Sequence, residues 1–238
     1  MLLDKLKDYV SQSNNIVFFG GAGVSTESGI PDFRSVDGLY NQQWKYPPEV
    51  MISHSFFASK AEDFFDFYRS KLLHLDAQPN KAHLALEALE KAGKLKTVIT
   101  QNIDGLHQKA GSTNVLELHG SVWRNYCIDC GTAYEVSAVA NGVGVPLCHC
   151  SGIIRPDIVL YEESLDEDLM LAAINHIANA DMLIIGGTSL GVYPAAGLLE
   201  FYAGEKTVVI NKTATHMDEV ADLVIRDNIG DTLIQLIK

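Results

Sequence analysis

Short apolar runs, dense in β-branched and aromatic residues, alternate along the chain with segments of helical length. IVFFG at 16–20, TVIT at 97–100, VLELHG at 115–120, MLIIGG at 182–187 and TVVIN at 207–211 are too continuously apolar to keep one face in water. Such runs, separated by helices, predict a parallel sheet covered on both faces. HLALEALEKAG at 83–93, with Gly93 as a C-cap, and LDEDLMLAAINHIANA at 165–180 supply helices, and MLLDKLKDYVSQSNN opens the chain as an amphipathic one.

Two stretches break the rhythm. Residues 36–72 are rich in aromatics and hold Pro47-Pro48, and residues 125–155 hold all four cysteines among turn residues. The expectation is an α/β, doubly wound parallel-sheet, Rossmann-like domain from 1–35, 73–124 and 156–238. A smaller lobe would combine a helical insertion, 36–72, with a zinc-binding one, 125–155, and the cleft between lobes would bind ligand.

The chain has 238 residues, enough for one domain with insertions, and 47% hydrophobic against 20% charged residues is ordinary globular usage. A formal charge of -12 argues against nucleic acid or anionic lipid and suits a cationic partner such as a lysine-rich protein segment. The apolar runs are too short to span a bilayer, and the start lacks the features of a secretion signal. A cytoplasmic monomer without membrane or nucleic acid partners is therefore expected.

GGAGVSTESGIPDFRS at 20–35 begins like a dinucleotide-binding turn, with Gly21 and Gly23 placed to bring backbone N–H groups to a pyrophosphate at a helix N-terminus. The dehydrogenase fingerprint then breaks off. Thr26 stands at the third glycine position, and no acidic residue ends a strand about twenty residues on, where a ribose-binding carboxylate belongs. The polar continuation to Asp32, Phe33 and Arg34 suits an enzyme that must bury and orient a ribose to cleave its bond to nicotinamide. His119 ends an apolar run at the carboxyl edge of the predicted sheet, where a neutral imidazole can take a proton near neutral pH.

Cys127-x-x-Cys130, seventeen residues and Cys148-x-Cys150 form nearly a structural zinc pattern. Four thiolates are the favoured ligand set, with His149 able to replace one of them. Reduced thiols or two disulfides are the alternative, the latter disfavoured without a secretion signal.

GAGVSTESGIPDFRS, TQNIDGLHQKAG (100–111), ELHGS (117–121), GGTSLGVYPAA (186–196) and INK (210–212) together resemble the sirtuin family of NAD-dependent protein lysine deacylases, in its minimal bacterial form. The resemblance implies NAD as co-substrate, contacted by Gly21, Ala22, Gly23, Ser25, Thr26, Phe33 and Arg34, with 31–34 as a mobile loop over ribose and nicotinamide. It implies Gln101 as a ribose contact, and Asn102, Ile103 and Asp104 as the nicotinamide pocket. Gly187, Thr188, Ser189 and Asn211 would reach ribose and adenosine, and the backbone near Ile229 would close the adenine side.

In the chemistry so implied, Asn102 and Asp104 position nicotinamide, the acyl oxygen of a modified lysine attacks ribose C1′ as nicotinamide leaves, and His119 removes a proton through the ribose hydroxyls. The products are free lysine, nicotinamide and 2′-O-acetyl-ADP-ribose. Zn2+ would be structural, although the family's second cysteine pair is usually C-x-x-C. IIRPDIVLYEE at 153–163 resembles the strand that pairs with the substrate backbone, with Val159 and Leu160 facing the acyl-lysine and Val192 to Ala195 forming the opposite edge. Where the family commonly has Phe-Gly-Glu, this chain has Tyr161-Glu162-Glu163.

Members that remove succinyl or malonyl groups carry Tyr-x-x-Arg, and here Tyr68 and Lys71 hold that spacing. Lysine keeps the charge but loses the bidentate fork that suits a carboxylate, so helix 61–75 reads as a solvated face and deacetylation is expected first. Desuccinylation or demalonylation, and mono-ADP-ribosyl transfer from the same pocket, are the alternatives.

Overall fold

The computed structural model describes residues 1–35, 38–41 and 45–237; position 36, where the helical insertion is expected to begin, lies outside them. The strands are β1 (Ile16–Gly20), β2 (Leu95–Thr100), β3 (Val115–Glu117), β4 (Gly120–Cys127), β5 (Ala133–Glu135), β6 (Ile154–Ile158), β7 (Met182–Gly186), β8 (Thr207–Ile210) and β9 (Leu223–Ile225). The helices are α1 (Leu2–Gln12), α2 (Pro48–Met51), α3 (His54–Ser59), α4 (Ala61–Lys71), α5 (Lys81–Lys91), α6 (Leu106–Ala110), α7 (Ser137–Ala140), α8 (Glu167–Asn179) and α9 (Ile229–Leu233).

Six strands form one parallel sheet in the order β3-β2-β1-β7-β8-β9. The order reverses between β1 and β7, so their carboxyl ends open the crevice where doubly wound sheets bind ligands. Along β1 the side chains alternate between two cores. Ile16 and Phe18 join Leu6, Leu86, Ile184 and Leu233, while Val17 and Phe19 join Ile99, Ile177, Ile185 and Leu199. Burial on both faces explains why these runs read as uniformly apolar.

A second sheet, antiparallel and in the order β5-β4-β6, carries a third core made from both stretches that broke the rhythm. Phe56, Phe57, Phe64, Phe65 and Tyr68 pack there with Val122, Val139, Ile154 and Leu160. β4 and β6 run across the positions 124/125 and 155/156 at which the sequence suggested a change of lobe.

Three local expectations are corrected. No α-helix follows the glycine loop: residues Ala22–Val24 and Thr26–Ser28 are single 3-10 turns, stopped by Gly29 at φ 82° and Pro31 two residues later. The 115–120 run is not one strand, because pairing with β2 ends at Glu117, so His119 sits in a turn between β3 and β4 rather than on a strand. The helix expected over 61–75 ends at Lys71, and its Phe64, Phe65, Phe67 and Tyr68 are buried, so Tyr68 lies in an aromatic core and not on a solvated face. Among the described residues no helix is long and apolar enough to cross a membrane.

Candidate active site

The crevice is built by backbone approach. Gly23 N–H donates to the Gly187 carbonyl at 2.7 Å, and Gln101 N–H donates to the Gly20 carbonyl at 2.9 Å, tying the loops after β1, β2 and β7 together. A Cβ at Gly23 would stand 2.8 Å from the Gly187 Cα and carbonyl oxygen, so a larger residue would force the two loops apart. Thr188 Oγ1 donates to Gln101 Oε1 at 2.8 Å, while Gln101 Nε2 is buried with no partner among the described residues. Leaving such a donor unmade is costly, and a ligand hydroxyl or phosphate in the crevice would satisfy it. Together with the glycine cradle, this donor makes the crevice fit a dinucleotide.

Beside it runs a polar chain from sequence-distant residues. Ser25 Oγ donates to Asp104 Oδ2 at 2.6 Å and accepts from Asn102 Nδ2 at 3.0 Å, with Ser25 and Asn102 both buried. Asp104 Oδ1 accepts the Leu106 N–H at 2.9 Å, and its carbonyl accepts Trp123 Nε1 at 2.8 Å. Thr100 Oγ1 holds the Asn102 N–H at 3.0 Å. Ile103 is partly buried against the third core, and its carbonyl accepts the Val122 N–H at 3.0 Å. Beneath this chain lie His83 and His107, with ring centroids 4.7 Å apart and both buried. Burial pushes the His83 imidazole down to about 4 against a smaller opposing pull from Asp104, and burial drives His107 well below its ordinary value.

His119 Nδ1 lies 2.9 Å from the Gln101 carbonyl. A carbonyl only accepts, so Nδ1 carries the proton and Nε2 is left as the lone-pair nitrogen. Burial lowers the pKa of His119, the Gln101 bond partly opposing it, which keeps the ring neutral at neutral pH. Gly120, at φ 78°, turns the chain sharply after it, and a Cβ there would collide with the Asp157 carbonyl. The His119 carbonyl accepts the Val159 N–H at 3.0 Å, so the histidine and the segment after β6 share one backbone bond.

That segment is pinned on its other side. Tyr161 N–H donates to the Ile52 carbonyl, and the Tyr161 carbonyl accepts the His54 N–H, both at 3.0 Å. Glu163 takes Arg155 in a bidentate pair at 2.8 and 3.0 Å and also meets His54 Nδ1 at 2.8 Å. Burial raises its carboxyl pKa, but those bonds and the Leu160 N–H prevail and hold it at about 2. Glu162, at φ 75° where glycine is the easier residue, has its carboxylate on the N–H and Oγ of Ser55 at 2.9 and 3.0 Å. Val159 is partly buried, whereas Leu160 is 3% exposed and belongs to the third core.

The remaining predicted residues scatter around the crevice. Ala22 and Thr26 lie in the 3-10 turns, Thr26 Oγ1 donating to the Gly23 carbonyl at 3.1 Å. Arg34 Nη1 donates to Ser189 Oγ at 3.2 Å, and Phe33 packs edge-on to Tyr40 at 5.5 Å. Asn211 closes the end of β8 by bonding the Thr213 carbonyl at 2.9 Å. Ile229 is buried where it starts α9, with its side chain against Gly186. Val192 is partly buried and its carbonyl caps a turn by accepting the Ala196 N–H at 3.0 Å. Lys71 is partly buried at the end of α4, and the Tyr68 hydroxyl is buried without a partner among the described residues. Trp123 and His54 were not anticipated as parts of this region, and although Thr100, Arg155 and Glu163 fall inside the quoted motifs their pairings were not; the Trp123–Asp104, His54–Glu163 and Arg155–Glu163 contacts leave no local motif.

At the far end of the antiparallel sheet, the sulfurs of Cys127, Cys130, Cys148 and Cys150 all lie within 4.8 Å of one another. Cys127 and Cys150 are 3.5 Å apart and Cys130 and Cys148 3.6 Å, with all four thiols free. Four ligands about 2.3 Å from a tetrahedral zinc stand about 3.8 Å apart, so the quartet fits the ion. The one-residue gap between Cys148 and Cys150 therefore does not prevent closure. His149 instead faces outward contacts, its Nδ1 lying 3.3 Å from both the Tyr134 hydroxyl and Cys148 Sγ.

A ligand crevice at the reversal of a doubly wound sheet, a half-buried histidine beside it and a zinc-type quartet on a separate small sheet define a nucleotide-binding α/β protein of the two-lobed kind. A profile described as the Sir2 family matches residues 21–194, and the chain belongs to that family. It is 57% identical, over 99% of its length and 98% of the relative's, to an NAD-dependent protein deacetylase of Clostridium perfringens (strain 13 / Type A). A deacetylase of Cutibacterium acnes (strain DSM 16379 / KPA171202) is 55% identical, covering 97% and 95% of the two chains. A solved Sir2 with p53 peptide and NAD+ superposes with a TM-score of 0.89 at 38% identity, covering 100% of this chain and 98% of that one.

Proposed function

We propose that the protein is an NAD-dependent protein lysine deacetylase that transfers the acyl group of acyl-lysine to ADP-ribose and releases nicotinamide. The observation that carries the reading is the His119–Gln101 bond, which presents a neutral imidazole with a free Nε2 next to the glutamine of the crevice. NAD supplies the electrophilic ribose carbon and the leaving nicotinamide. Gly21, Ala22, Gly23, Ser25, Thr26, Gly187, Thr188, Ser189, Asn211 and the Ile229 backbone line the dinucleotide site.

Gln101 Nε2 holds a ribose hydroxyl, and Asn102, Ile103 and Asp104 orient the nicotinamide while Phe33 and Arg34 cover it. His119 Nε2 takes the proton from the ribose hydroxyl that accepts the acyl group, supplying general-base assistance on the order of 10² to 10⁴ in rate. Val159, Leu160 and Tyr161 on one edge and Val192 on the other flank the acyl-lysine peptide. Zn2+ on the four cysteines keeps the small lobe folded and takes no part in the chemistry. The NAD-binding lobe is residues 1–35, 73–124 and 156–238, and the small lobe 36–72 and 125–155. The protein works as a cytoplasmic monomer on acylated proteins.

A second reading, removal of succinyl or malonyl groups, is favoured by one observation, the Tyr68 hydroxyl without a partner among the described residues. Incubation with NAD and matched acetyl- or succinyl-lysine peptides, following peptide mass and nicotinamide, separates the two. Acetyl loss that needs both NAD and His119 supports the deacetylase, and faster succinyl loss supports the second reading. Nicotinamide release without peptide points to hydrolysis or ADP-ribosyl transfer. If no peptide is processed while NAD still binds, the catalytic reading falls.

A further inference from the structure

The chain's departure from Phe-Gly-Glu puts a hydroxyl where the family commonly has a bare ring, and that hydroxyl has a partner. Tyr161 and Tyr40 meet hydroxyl to hydroxyl at 2.8 Å, across 121 positions of sequence. The Tyr161 side of this bond is a rigid post: its backbone is bonded to Ile52 and His54, and the next two residues are tied to Ser55 and Arg155.

The Tyr40 side is fastened to the loop at 31–34. Tyr40 N–H donates to the Phe33 carbonyl and Leu39 N–H to the Asp32 carbonyl, both at 2.9 Å. The Tyr40 ring packs edge-on to Phe33 at 5.5 Å and lies under the Arg34 guanidinium at 5.5 Å, and Arg34 in turn reaches Ser189. Burial, followed by the Tyr161 bond, pushes the Tyr40 phenol well above its ordinary pKa, so it stays protonated.

We propose that the Tyr161–Tyr40 pair is a clasp that holds Phe33 and Arg34 over the crevice before NAD arrives, making Tyr161, on the acyl-lysine side, a positioning residue for the dinucleotide. This rests on the assignment of the crevice to NAD and of Phe33 and Arg34 to its cover. A loop fixed in its bound arrangement loses less entropy on binding, so the clasp strengthens NAD binding without touching NAD. Tyr161→Phe keeps the ring and its packing and removes only the bond.

Three variants test this: Tyr161→Phe, Tyr40→Phe and the pair together. In the absence of any ligand, hydrogen exchange of the Leu39 and Tyr40 amides accelerates in each single variant, by about fivefold if one ordinary hydrogen bond is lost. With saturating acetyl-lysine peptide, the KM for NAD of Tyr40→Phe rises by a similar factor while its kcat stays within about twofold. The double variant matches either single one, because both remove the same bond. Unchanged exchange in both single variants, or effects that add in the double, overturns the clasp. If the wild-type protein releases no nicotinamide with peptide, the deacetylase reading fails instead, and the ligand-free exchange rates still decide the clasp.

Discussion

The crevice of the parallel sheet and the cysteine end of the antiparallel sheet are held by different forces. The crevice sits on β1 and β7, every residue of which is buried, and its loops are joined by backbone bonds such as Gly23 to Gly187. The cysteine end rests on β5, three residues with none buried, and two of its four cysteines are exposed. Burial on two faces fixes the first region from within. Of the second region's cysteines only Cys127 and Cys148 join the third core, and its exposed half, Cys130 and Cys150, is suited to closure by a metal. The lesson is that reactive groups stand on the self-sufficient part, and the metal is confined to a part whose loss does not touch them directly.

The comparison breaks most visibly if its chemistry is misplaced. His119→Ala lowers the rate of acetyl-peptide turnover by a factor on the order of 10² to 10⁴, while calorimetry shows NAD affinity changed by less than about threefold. A smaller change in rate moves the base elsewhere. Next, Cys127→Ser abolishes the single zinc expected per chain by metal analysis and lowers the unfolding midpoint by about 10 °C. Retention of full stability in a metal-free variant removes the idea that zinc closes the tip.

Gly23→Ala sharpens the contrast from the other side, since its Cβ has nowhere to go. NAD affinity falls by about tenfold or more, a cost of at least 1.4 kcal/mol, with zinc content unchanged. Smaller still is an acid effect in the parallel-sheet lobe. His83 and His107 bind fewer protons folded than unfolded, so their contribution is complete above the ordinary histidine pKa of 6.5. It is lost as pH falls from there through about 4, the folded value of His83. Denaturant titrations across that window show a shallower loss in His107→Phe than in wild type, and parallel curves exclude the pair as its source. The least effect belongs to Tyr68→Phe, which removes a hydroxyl with no partner among the described residues and leaves stability within about 1 kcal/mol and the ratio of acetyl to succinyl turnover within about twofold. A larger shift in that ratio makes Tyr68 part of the acyl site.

The parallel sheet was legible because its strands are buried on both faces and need no partner residue to be recognised: IVFFG at 16–20 became β1 without a shifted end. β4 was not, since GSVWRNYC mixes buried Val122 and Asn125 with exposed Trp123 and Arg124, and its partners lie as far away in sequence as Gly120 from Ile158. The three residues of β9 are too few to stand out. His119 could be chosen by its residue type and place, yet its turn could not be foreseen, because it depends on Gly120 folding onto Asp157. Tyr68 was misjudged because the charges of EDFFDFYRSK drew attention from a run of aromatics that packs on Phe57, a residue of another helix.

The Val159 N–H on the His119 carbonyl fixes the spacing between the histidine and the groove segment in the main chain, independent of any side chain there. Side chains along that segment can therefore be exchanged without changing its main-chain distance from the histidine.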